Sequence, residues 1–162
     1  MKAILILLVL TTLLSLNIFA QPHETTNSES THENHQNEFG IAFSPVYFLN
    51  EKDFSKGIHL HYVHNIPNSK FGLGIGYERI FDQHKHNTIG LEAIYRPAEK
   101  LSLSLSPGLT FEANNSKPDP ALHFETSYEF EVGEFHLGPA FEFAIDREDI
   151  HLSLGVHLGI GF

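Results

Sequence analysis

Apolar and polar residues alternate with a period of two along most of residues 39–162. Leu101, Leu103, Leu105, Leu109 and Phe111 alternate with Ser102, Ser104, Ser106, Thr110 and Glu112, and Leu122, Phe124, Tyr128, Phe130 and Val132 with His123, Glu125, Ser127, Glu129 and Glu131. The last twelve residues carry the pattern to the end, with apolar side chains at every even position from Leu152 to Phe162 and small or polar ones at every odd position from His151. A period of two belongs to a β-strand, whose successive side chains point to opposite faces. Each segment is therefore predicted to be a strand with one apolar face and one small or polar face.

Turn-forming clusters divide the pattern at Asn50 to Asp53, Pro67 to Lys70, Asp82 to His86, Pro97 to Lys100, Asn114 to Pro120, Gly133-Glu134 and Asp146 to Asp149. Seven turns separate eight strands, read as 39–49, 57–66, 71–82, 87–96, 101–112, 121–132, 135–146 and 150–162. These lengths are close to the roughly 9 to 11 residues that a tilted strand needs to cross a bilayer. The expected fold is all-β, an eight-stranded antiparallel up-and-down transmembrane barrel. A soluble ligand-carrying barrel would alternate too, but it would need charged residues along every outer face. The polar face here is instead Gly72, Gly74, Gly76 and Glu78 in the third strand and includes Gly155, Gly159 and Gly161 in the eighth, which suits a crowded interior. Aromatics near strand ends, among them Phe39, Tyr47, Phe71, Tyr95, Phe135 and Phe162, fit interfacial girdles.

Both chain ends add to this. Met1-Lys2 followed by an apolar run from Ile4 to about Leu16 and a small residue at Ala20 reads as a cleaved signal peptide over 1–20. Residues 21–38 lack a hydrophobic pattern and are expected to form a disordered His-, Glu-, Asn- and Thr-rich tail, leaving the barrel over 39–162. The chain has no cysteine, which excludes a lipoprotein anchor and a disulfide framework. Its net charge of −10 argues against nucleic-acid partners. A terminal Phe162 on an alternating strand resembles the assembly signal of bacterial outer-membrane β-barrels, and the whole folded region is similar to the small eight-stranded members. The resemblance implies the outer membrane, periplasmic termini, lipid contacts and the outer-membrane assembly machinery as partners, with the turns at 67–70, 97–100 and 133–134 periplasmic and the others outward. It implies no one function, because this fold hosts adhesins, lipid A enzymes and structural anchors. Short outer loops count against an adhesin, and a barrel of eight strands is filled by its own side chains, which counts against a diffusive pore.

The candidate chemistry lies on the inner face. The shortest turns set a register that places His59 opposite Glu78, Glu125 opposite Glu142, Glu131 opposite His136, and Asp146 opposite His151. His59, His61, Glu78, Glu112, His123, Glu125, Asp146 and His151 then fall in the outer half of the lumen. His59 and His61 project to one side about 7 Å apart. Imidazole and carboxylate suit zinc, nickel, copper or iron. The candidate ligands of a divalent transition metal are therefore His59, His61, Glu78, His123, Glu125 and His151, with His84 and His86 of the second outer loop as a capture pair. Twelve histidines, spread over tail, loop and lumen, fit metal handling. The tail start Gln21-Pro22-His23 cannot form the amino-terminal copper motif, because Pro22 has no amide proton to lose.

Two catalytic readings fail on the residues. His151-Leu152-Ser153 matches part of the His-x-Ser pair of lipid A deacylase barrels, but it falls on the inner face and no downstream carboxylate follows it. Palmitoyl-transfer barrels need an apolar interior, and this one carries Glu and His. The expectation is a non-enzymatic barrel that binds or senses a divalent transition metal. The alternative is a structural or interaction barrel whose His and Glu only stabilise it, because buried charges must be paired.

Overall fold

The computed structural model describes residues 35–113 and 115–162. The predicted leader and tail residues 21–34 lie outside the described residues. Nine strands follow in order: β1 (Asn37–Phe48), β2 (Asp53–Asn65), β3 (Phe71–Ile80), β4 (Asn87–Ala98), β5 (Leu101–Phe111), β6 (Asp119–Tyr128), β7 (Phe130–Val132), β8 (Phe135–Ile145) and β9 (Ile150–Gly161). β6 and β7 are two lengths of one stave, because Ser127↔Ala140 and Phe130↔Leu137 keep a single register against β8. The sheet therefore has eight staves, each antiparallel to the next, and β6 closes it by pairing with both β5 and β8. This is the closed eight-stranded antiparallel barrel that the alternation predicts, and closure leaves no unpaired strand edge.

Alternation sorts the two faces as expected. Leu73, Ile75, Ile89, Leu91, Leu154 and Val156 stand on the outer wall with more than half of their surface open. An apolar outer wall of this kind is the surface that a bilayer core solvates. Inside, the buried set is mostly polar. One end of the barrel carries the connections 49–52, 81–86, 112–118 and 146–149 (the loop end), and the other carries the short turns and both described chain ends (the terminus end). At the loop end the lumen is capped by an apolar cluster of Val46, Phe48 and Ile80, all at most 2 % exposed.

Four expectations need correction. β1 begins at Asn37, so Glu38, assigned to the tail, is a buried lumenal residue. Asn37 N–H donates to the Phe162 carbonyl, and this pairing with the last strand draws the segment in. His151 lies opposite Ala144, not Asp146. Asp146 instead closes the four-residue connection, its Oδ1 accepting from the Glu148 and Asp149 amides. The slip is two residues, so His151 keeps its inward face. Glu131 does lie opposite His136, but it is exposed on β7 while His136 turns inward. Finally, Glu112 and Asp146 lie in the loop-end connections, where Asp146 caps its turn while the Glu112 side chain stays buried against His86.

Candidate functional site

Inward positions of five staves fill the lumen with six carboxylates, Glu38, Glu78, Glu92, Glu125, Glu129 and Glu142, each at most 8 % exposed. Around them stand His59, His61, His123, His136, His151 and His157, with Arg96 as the cation of the group. Glycine makes room for the rings. A methyl group at Gly76 would overlap the Glu92 carboxylate and come within 2.8 Å of His59 Nε2, and one at Gly159 would overlap the His136 ring. Gly76 and Gly159, two of the small residues that marked the inner face in the sequence, are thus space in which histidines stand.

The lumenal groups form two tiers. In the loop-end tier, Glu78 (β3), His123 (β6), Glu142 (β8) and His151 (β9) converge, with one ligand atom from each within 4.8 Å of all the others. His123 Nδ1 lies 3.4 Å from Glu142 Oε2 and 3.6 Å from Glu78 Oε2. His151 Nε2 lies 3.7 Å from Glu78 Oε2 and 3.7 Å from Glu142 Oε1. Most of these separations are too long for hydrogen bonds. Glu78 Oε2, Glu142 Oε1 and both nitrogens of His151 are buried with no hydrogen-bond partner among the described residues. Next to them, His59 Nδ1 faces Glu125 Oε2 at 3.4 Å and Glu142 Oε2 at 3.9 Å, while its Nε2 meets Glu92 Oε1 at 3.0 Å.

The terminus-end tier is bonded more tightly. Arg96 donates to Glu38 Oε2 and to Asn65 Oδ1, both at 2.6 Å. His136 Nε2 bonds Glu38 Oε1 at 3.1 Å, and Ser127 donates to Glu129. His61 and His157 stand with Nε2 atoms 3.3 Å apart. Two cavities of about 10 Å³ each interrupt this packing. One adjoins Glu38, His61, Arg96 and Glu129, and the other is lined by His59, Glu78, Glu125 and Glu142 together with Ser44 and Ser153. Each is about the size of one water molecule.

At the loop end, His84 and His86 diverge. His84 reaches Glu51 Oε1 at 3.1 Å with its side chain 38 % exposed. His86 is buried between Asp82 Oδ2 at 2.7 Å and Glu112 Oε1 at 3.0 Å. Burial pushes the Asp82 carboxyl up, but the His86 amide and ring and the His84 amide outweigh it and hold the group below its usual range. Burial raises Glu112, and the nearby Glu148 and Asp146 add to that against the pull of His86 and His84.

Of the six lumenal ligands expected from sequence, Glu78, His123 and His151 come together, His59 and Glu125 lie beside them, and His61 belongs to the other tier. Glu142 completes the cluster and Glu92 backs His59. Both stand on inward positions of their strands, so the parity that exposed Glu78 and His123 also marks them. Glu129, His136 and His157 carry the same signal, whereas Glu38 precedes the first predicted strand.

No protein-family model and no curated protein matches the sequence. The fold is similar to that of Neisserial surface protein A (TM-score 0.55, 13% identity, covering 78% of this chain and 96% of that one). It is also similar to Ail, the attachment invasion locus protein of Yersinia pestis, in complex with a heparin analogue (0.52, 18%, 78% and 96%), and to a de novo designed transmembrane β-barrel (0.54, 12%, 76% and 95%). At these identities the likeness is one of fold, that of the small outer-membrane barrels.

Proposed function

We propose that this chain is a non-enzymatic outer-membrane barrel that binds a divalent transition-metal ion in the loop-end half of its lumen, through Glu78, His123, Glu142 and His151. The observation that carries the reading is the spacing of four buried side chains whose facing atoms lie 3.4 to 3.7 Å apart, three of those atoms having no hydrogen bond. Two ligand atoms at ordinary bond lengths on one tetrahedral ion sit about 3.3 Å apart, and wider angles bring them toward 4 Å. The spacing therefore suits an ion between the groups better than direct bonds. Two imidazoles and two carboxylates are a donor set for zinc, nickel, copper or iron.

The same reading has the termini in the periplasm and the loop end outward, with lipid and the assembly machinery as partners. Metal would then enter from the outer face past His84 and His86. The terminus-end tier favours a stabilising role for its own half of the network, because Glu38 is already satisfied by Arg96 and His136. His151 and Ser153 are buried inside the barrel, away from lipid, and this supports leaving acyl chemistry aside.

The test is metal per chain in untagged protein from native outer membranes, read by elemental mass spectrometry, for wild type, His123→Ala/His151→Ala and His84→Ala. Transition metal at one equivalent or more in wild type and His84→Ala, at least one of them lost in the double variant, is expected. Folded wild type without metal, even after exposure to each ion, would overturn the reading and leave a structural network.

A further inference from the structure

Glu125 and Glu142 lie directly opposite each other on adjacent staves and are 8 % and 3 % exposed. Like charges so placed repel, and a low-dielectric lumen strengthens the repulsion unless a cation lies between them. Glu142 also belongs to two ligand groups at once. One is Glu78, His123, Glu142 and His151, and the other is His59, Glu125 and Glu142. Its Oε1 faces His151, while Oε2 lies 3.4 Å from His123 Nδ1 and 3.9 Å from His59 Nδ1. The small cavity lined by His59, Glu78, Glu125 and Glu142 lies where these groups meet.

Building on the metal-binding reading above, we propose that this tier is a dinuclear centre, with two divalent transition-metal ions bridged by the Glu142 carboxylate. The first ion takes Glu78, His123 and His151, and the second takes His59 Nδ1 and Glu125. Glu92 is the positioning residue of the second ion. Its Oε1 lies 3.0 Å from His59 Nε2, on the side of the ring away from Glu125, which leaves Nδ1 as the ligating nitrogen and puts a carboxylate behind it, the usual arrangement at a metal-bound histidine. Carboxylate-bridged ions sit roughly 3.5 to 4 Å apart, a span that one side chain reaching both His123 and His59 can cover. Charge points the same way. Glu78, Glu92, Glu125 and Glu142 carry four negative charges in this half when the imidazoles are neutral, and two dications offset all four where one offsets only two.

The experiment strips full-length protein in detergent with a chelator and reloads it with Co(II). It counts ions per folded chain and records the electron paramagnetic resonance of the bound metal. Wild type should hold two lumenal equivalents as a spin-coupled pair. His59→Gln and Glu125→Gln, made separately so that one can fail to fold without loss of the test, should each hold one ion with an uncoupled signal. Glu92→Gln should keep the first ion and weaken the second at least tenfold. One uncoupled ion in wild type, retained in His59→Gln, overturns the dinuclear centre and leaves the mononuclear reading standing. No bound ion in wild type overturns both.

Discussion

Arg96 places a fixed positive charge among six lumenal carboxylates, and two of its nitrogens are committed to Glu38 and Asn65. Removing one member of a buried ion pair leaves the other charge uncompensated, at a cost of about 3–5 kcal/mol. Arg96→Met should therefore lower barrel stability by that order in denaturant unfolding followed by gel mobility. Arg96→Met combined with Glu38→Leu should recover most of the loss, and a double variant no better than the single one would sink the account. Asp82 carries the other residue-scale prediction. Its carboxyl lies below its usual range, so its contribution to the 81–86 loop is present above the unfolded value and is lost as pH falls through the folded one. Glu112 is raised and acts with the opposite sign, its contribution fading as pH rises through its folded value. Asp82→Asn should cost the loop about 1–3 kcal/mol in amide protection of His84 and His86 at neutral pH and flatten the acid-side loss. Equal protection in wild type and variant at pH 7 would refute it.

The strand is the element through which the inner histidines were legible. Period-two alternation placed His59, Glu78, His123, Glu125 and His151 on the wet face, and the structure keeps all five inward or partly buried. It also brought His59 against Glu78 and Glu125 against Glu142, because two-residue steps across tight connections leave few registers open. Alternation misjudged the ends of strands, where pairing with a neighbour competes with local composition. Asn37 and Glu38 read as tail because their sequence is polar, yet β9 offers them a partner strand. Asp146 read both as the end of a lumenal face and as the start of the turn cluster 146–149, and the turn prevails, because its carboxylate caps the connection. The glycines supply an element-scale prediction. Gly159→Ala places a methyl group on the His136 ring and should cost about 1–3 kcal/mol of stability, with the His136 resonances shifted in nuclear magnetic resonance spectra. An unshifted His136 would mean that the barrel wall, not the ring, gives way.

For the molecule as a whole, a lumen filled by His, Glu and Arg side chains, under a cap of Val46, Phe48 and Ile80, should pass no small solutes. Liposomes carrying the protein should swell in sugar solution no faster than empty ones, and faster swelling would show that the cap opens. An ion bound only by the folded barrel should stabilise it by about 2.7 kcal/mol at a hundredfold excess over Kd, so chelation should lower the unfolding midpoint in wild type by more than it does in His123→Ala/His151→Ala. The closed all-β barrel, its strand number, the sidedness of its wall and the polarity of its interior were all determined by the sequence alone. They depend on periodicity and turn chemistry, which are local. Which imidazole meets which carboxylate was decided only by the tertiary structure. Residues from four staves, Glu78, His123, Glu142 and His151, meet across the barrel axis, and their distances follow from closure, stagger and the space that glycine leaves. No spacing along the chain encodes those quantities, since each sums contributions from every strand between the partners.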